Sequence, residues 1–217
     1  MADPAPTREA SATQRRFRWV HAATDRVPTR WFAGIGTGLF LLVTAAFGGL
    51  ATAAEPGPIA IAAGQEHRSE EFALTVERAV LLDDFPEAGA RVDEDADERV
   101  LAVQVNITNR WDRPLSAGPI SMSETLHIDE LSDTPMESVA RIDDATTSPW
   151  LQPGIPVDIV LTWIVDADAL ADGDVLHVTI SDLSLYTGSF VTTGQSWEDP
   201  EAAAKLTLTV ADNGAGQ

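Results

Sequence analysis

From residue 71 onward, hydrophobic and polar positions alternate with a period of two. Phe72, Leu74 and Val76 alternate with Glu71, Ala73, Thr75 and Glu77, and Leu101, Val103, Val105 and Ile107 with Ala102, Gln104, Asn106 and Thr108. The pattern returns at Leu126 and Ile128, at Val157, Ile159, Leu161, Trp163 and Val165, at Leu176, Val178 and Ile180, and at Leu206, Leu208 and Val210. Such spacing sends every second side chain to a buried face and leaves the other face wet, as in antiparallel sheets. Turn-forming runs separate the strands: Asn109–Pro114, Gln152-Pro153-Gly154 and Asp172-Gly173-Asp174. No helical period interrupts them, beyond a short turn predicted over Asp199–Lys205. The pattern predicts a mostly β fold over residues 71–211: an antiparallel β-sandwich of seven or eight strands, with Trp163 in its central core and residues 212–217 as a disordered tail.

The first quarter of the chain reads differently. From Trp31 to Ala54 there is no charged residue, and as a helix this run would be roughly 36 Å long, enough to cross a hydrocarbon core. A single transmembrane helix over 31–54 is therefore expected, with the lipid bilayer as its partner. Arginines at positions 8, 15, 16, 18, 26 and 30 precede the run and acids follow it from Glu55. That bias puts residues 1–30 in the cytoplasm as a disordered tail, and the C-terminal domain outside, with 55–70 as a spacer. Two alternatives stay open. The helix is retained as a signal-anchor, or it is removed after Ala53, because Ala51-Thr52-Ala53 has the small-x-small form that signal peptidases accept. Gly34 and Gly38 make a GxxxG pair suited to close helix contact.

The strand FALTVERAVLL, the run VLAVQVNITNRWDRPLS, then WLQPGIPVDIVLTWIVD and VLHVTISD, follow one another in that order. This arrangement is similar to the telokin-like immunoglobulin domains of unknown function in bacterial secreted proteins and lipoproteins. Val103, Val105, Asn109 and Pro114 match the family's strand-and-turn signature, and Leu151, Pro153 and Gly154 match a second turn leading into a core strand. The resemblance covers roughly residues 70–182 and implies an immunoglobulin-like sandwich. It implies no activity. The chain departs from many such proteins in carrying an apolar helix and no lipid-attachment cysteine.

Composition narrows the chemistry. Fourteen basic residues against 34 acidic ones give a formal charge of −20, and there is no cysteine. Disulfides, thiol catalysis and thiolate-bound zinc are excluded, and the acidic surface argues against nucleic acid as a partner. Four histidines, His21, His67, His127 and His177, show no HxxxH or HExxH spacing; no GxSxG elbow and no phosphate-binding loop occur. The acids of Asp93–Glu98 suggest hard-oxygen ligands for calcium, but Glu98 stands where an EF-hand needs glycine and Gln104 where it needs glutamate. Asp166, Asp168, Asp172 and Asp174 form a second acidic group. Trp111, Trp150, Trp197 and Tyr186 fall in or near loops, where aromatics cap a core, anchor an interface or stack on sugars. The expectation is a non-catalytic protein with no catalytic, metal or cofactor residues, meeting a protein partner in the bacterial envelope. A carbohydrate- or calcium-binding module is the alternative, discriminated by whether the loop tryptophans share one exposed end.

Overall fold

The computed structural model describes residues 29–46, 57–93, 95–188 and 193–214. The chain divides into two compact units, Met1–Glu55 and Pro56–Gln217. In the first, helix α1 spans Thr29–Ala46, 18 residues, with Ile35, Leu39, Phe40 and Leu42 exposed. Residues 47–54 of the predicted span, and nearly all of the predicted 1–30 tail, lie outside the described residues. No helix among the described residues is long and apolar enough to cross a membrane.

The second unit is a mostly β sandwich. Its elements are β1 (Ile59–Ala60), β2 (Glu66–Arg68), β3 (Phe72–Leu82), β4 (Glu98–Asn109), β5 (Leu115–Ser116), α2 (Pro119–Thr125), β6 (Leu126–Ile128), β7 (Ser138–Arg141), β8 (Trp150–Leu151), β9 (Pro156–Asp166), β10 (Val175–Thr187) and β11 (Gln195–Gly214). The strands pair in the order β6-β10-β11-β3-β4-β9-β7, with β1 beside β11, β2 beside β3, and β5 paired with β8. Strand β11 joins the two layers. It pairs antiparallel with β10 along most of its length, then its end runs parallel to β3 at Val210–Gly214.

The core lies between the layers, and the alternating residues point into it. Leu101, Val103, Val105 and Ile107 of β4 meet Ile159, Leu161, Trp163 and Val165 of β9, with Leu176, Val178 and Ile180 of β10 opposite. Trp163 is 4% exposed, as its apolar position predicts. Along β3 the alternation changes phase. Glu77 is an extra residue between Val76 and Arg78, a bulge that lets both Val76 and Ala79 face inward.

The structure differs from the sequence pattern in several places: among the described residues there are eleven strands where seven or eight are expected, and β1 with β11 and β11 with β3 pair parallel where only antiparallel pairing is expected. β1 and β2 fall within the 55–70 segment expected to be a spacer, where two or three residues are too few to show a period. The Asp199–Lys205 segment is strand, because ladder pairing with β10 outweighs alanine's helix preference, and β11 continues past residue 211 to Gly214. The short helix α2 has too few residues for a 3.6 period to show. Finally, the outer face of β4 and β9 is not uniformly wet. Ala102, Ala140 and Val160 form a second apolar cluster with Ala88, Leu82 and Phe85. Small side chains there let the 83–90 loop lie flat on the sheet. Gly89 (φ 83°) turns that loop where a Cβ would come within 2.9 Å of Ser138 Oγ, and Ser138 Oγ donates to the Ala88 carbonyl at 2.6 Å.

Candidate functional site

The residues with the most unusual environments gather at one end of the sandwich, where β4 finishes. Asn109 closes β4 and is fully buried. Its Nδ2 donates to the carbonyls of Arg113 (2.7 Å) and Leu151 (2.9 Å), and its Oδ1 accepts from Trp111 N–H (2.9 Å). Its own carbonyl accepts from Gly154 N–H at 2.7 Å. One amide thus ties the turn after β4 to the turn before β9, so the two signatures read separately in the sequence, Asn109–Pro114 and Leu151–Gly154, form one corner. A buried amide is tolerable because its polar atoms are satisfied.

This corner presents Trp111, whose ring meets Trp197 edge-on, with centroids 6.0 Å apart and planes at 81°. The Arg113 guanidinium lies over Trp111 at 5.1 Å. Trp197 belongs to the β10–β11 hairpin, opposite Leu185. The hairpin extends well past the last β10 residue that pairs with β6, Ile180, and Trp197, two pairs from the end of the ladder, holds its turn end to this corner. Trp197 Nε1 is buried with no hydrogen-bond partner among the described residues. Tyr186 and Trp150 are exposed, at 46% and 64%. Of the four loop aromatics, then, Trp111 and Trp197 cap the end of the fold against each other.

Beside them lies a carboxyl in a nonpolar setting. Ser69 Oγ accepts from the backbone N–H groups of Glu71 and Phe72, and Arg110 N–H donates to the Glu71 carbonyl at 2.8 Å. The turn thus pulls Glu71, expected on the wet face of β3, to 6% exposure. Burial first, then the neighbouring Glu124 and Asp182 charges, pushes its carboxyl up to about 7. Asp182 in turn holds His67, Nε2 to Oδ1 2.7 Å, with the His67 side chain 10% exposed. A carboxyl poised near neutrality can hold or release a proton at physiological pH. Neither Glu71 nor His67 stands out in the sequence, since this environment is assembled from β2, β3, α2 and β10.

At the opposite end the acids have ordinary structural work. Arg99 bonds Asp212 bidentately (2.8 and 2.7 Å) and Asp83 at 3.1 Å, tying the ends of β4, β11 and β3. Those hydrogen bonds hold the Asp212 carboxyl down to about 2. The two sequence-flagged acidic groups lie at this end too. Asp172 accepts from Asp212 N–H and Asp174 from Ala171 N–H; Asp93 accepts from Asp95 N–H, and Glu98 from Asp93 N–H. They cap turns. Among the described residues, no group of three or more His, Cys, Asp or Glu side chains is placed to hold a metal ion; Glu94 lies outside them. His177 pairs with Glu130 at 2.6 Å, and His127 is exposed beside an open cavity of about 380 Å³ between α2, β6 and residues 132–136, floored in part by Trp163.

No protein-family model and no curated protein matches the sequence. Among solved structures, the chain is similar to an uncharacterised β-sandwich protein from Clostridium difficile 630, at 9% identity and a TM-score of 0.40, over 73% of this chain and 97% of that one. It is also similar to a candidate lipoprotein from Staphylococcus aureus subsp. aureus NCTC 8325, at 10% identity and a TM-score of 0.36, over 69% of this chain and 94% of that one.

Proposed function

We propose that this is a membrane-anchored, extracytoplasmic domain of the telokin-like immunoglobulin type, non-catalytic, that meets a protein partner in the bacterial envelope. The observation that carries the interaction reading is the β10–β11 hairpin. Its turn end is held to the β4 corner by Trp111 and Trp197, and beside that contact it bears the chain's only tyrosine in an exposed position. Hairpins of this kind offer backbone and side-chain groups that the fold itself does not use. The anchor rests on the uncharged 31–54 run, the arginines before it, the acids after it and the exposed apolar side chains of α1. A photo-crosslinking residue at position 186, activated in cells, is expected to give one recurrent protein adduct. A ladder of unrelated adducts, or none, counts against the interaction. Alkaline extraction and the mass of the mature chain test the anchor: a retained helix keeps the full mass in the membrane pellet, whereas cleavage releases a chain beginning at Ala54.

A further inference from the structure

The two strands of the hairpin treat their outer edges differently. An unpaired strand edge presents a row of N–H and C=O groups to any other extended chain, and proteins usually block it. On β11 the edge is blocked from Asp199 onward. Asp199 adopts a left-handed conformation (φ 55°), Pro200 has no N–H to offer, and β1 pairs alongside from Ala204. On β10 the guard is missing. Strand β6 stops opposite Ile180, and from Ser184 to Thr187 no strand among the described residues pairs with the far side of β10. This stretch holds no proline, no lysine and no charge. Its pairing with Gln195–Glu198 is regular, so its backbone is already extended.

Charge decides what such an edge can accept. Between Ser181 and Ala204 the charged side chains are Asp182, Glu198, Asp199 and Glu201, with no arginine or lysine among them. Two copies of the hairpin laid edge to edge would bring together like charges on a chain of net charge −20, which disfavours self-association. Glu198 sits opposite Ser184, beside the Tyr186–Ser196 pair, and Ser184, Tyr186, Ser196 and Glu198 are all exposed. A cationic side chain on an added strand opposite Ser184 would start two strand spacings, about 10 Å, from Glu198, with only the short Ser184 side chain between them, a gap that a long lysine or arginine side chain spans.

We infer that the outer edge of β10 at Ser184–Thr187 accepts an extended segment of a different, lysine- or arginine-bearing polypeptide, which adds to the hairpin as a third strand. This rests on the interaction reading above and names its surface and partner class. The test titrates the isotope-labelled full chain, in detergent micelles, with the peptide Lys-Thr-Val-Lys-Val-Thr-Lys and with its twin carrying Glu for Lys. Amide shifts are expected at Ser184–Thr187 and across the ladder at Gln195–Glu198, with the acidic twin about tenfold weaker. Glu198→Lys, which leaves the backbone intact, is expected to weaken the basic peptide about threefold. Gly188 N–H donates to the Gly194 carbonyl, so along this regular ladder the Leu185 and Thr187 amides point outward; Thr187→Pro removes one of them and should abolish the shifts while Val175–Ile180 keeps its hydrogen-exchange protection. Equal binding of both peptides, shifts elsewhere, no binding at millimolar peptide, or a homodimer through this edge would each overturn the proposal. If the position-186 photo-adduct forms while the peptides leave the edge untouched, the interaction reading stands and the strand-addition proposal falls.

Discussion

Glu71 and Asp212 are carboxylates at opposite ends of the same sandwich, and their environments push them in opposite directions. Roughly 35 Å separates the two ends along β4, by strand rise alone. At the Asp212 end a largely covered arginine reaches two carboxylates, and the nearer is held down to about 2. At the Glu71 end burial comes with two further acids, and the carboxyl rises to about 7. In an acidic chain the position of a few arginines decides which carboxylates are structural struts and which stay poised to change state.

The largest expected effect comes from removing the residue that builds the Glu71 end. Asn109→Ala takes this amide from two carbonyls and one N–H, at a fully buried side chain in a partly buried corner, and should cost about 3 kcal/mol by chemical denaturation. A loss below about 1 kcal/mol would mean that water replaces the amide easily. Glu71→Gln sharpens the contrast itself. The folded pKa lies above the ordinary carboxyl value, so wild type is favoured by protonation at low pH and loses that stability as pH rises from about 4.5 through about 7. The variant should gain about 3 kcal/mol on wild type at pH 8 and about none at pH 4; a pH-independent difference would refute the assignment.

Arg99→Gln probes the other end with the opposite sign. Asp212 has a depressed pKa, so its contribution is present above about 4 and fades as pH falls toward about 2. Wild type should melt higher than the variant at pH 6, and the gap should narrow on acidification, read from melting temperature against pH. The smallest effect is local. Trp111→Ala removes the edge-on partner of Trp197 and the stacking surface of Arg113. Amide exchange should quicken at Tyr186 and Ser196, the hydrogen-bonded pair beside Trp197, while β4 and β9 keep their protection.

Much of this fold is legible along the chain. The inward residues of β4, β9 and β10 are those the alternation names, because a period-two pattern leaves no other way to bury that much apolar surface. The corner residues Asn109, Pro114, Leu151, Pro153 and Gly154 are visible as turn chemistry, although nothing linear says that one buried amide joins them. Trp163 belongs in the core for the same reason as its neighbours. Three features stayed hidden because each depends on partners distant in sequence. Glu71 looks like any acid of an acidic chain until α2 and β10 close over it. His67 looks like spacer until Asp182 arrives from 115 residues away. The dry patch around Ala102 and Val160 exists only because the 83–90 loop folds back onto it.

By itself the sequence determined most of the long strands, the sides they bury, the turns that separate them, the charge of the surface and an uncharged run from Trp31 to Ala54. All of these follow from local geometry and from which side chains water tolerates. Only the tertiary structure decided which carboxyl is paired and which is stranded, that two tryptophans hold the turn end of a hairpin against the β4 corner, and where along that hairpin an edge is left open. Those outcomes are set by distances between segments, and a one-dimensional pattern does not contain them.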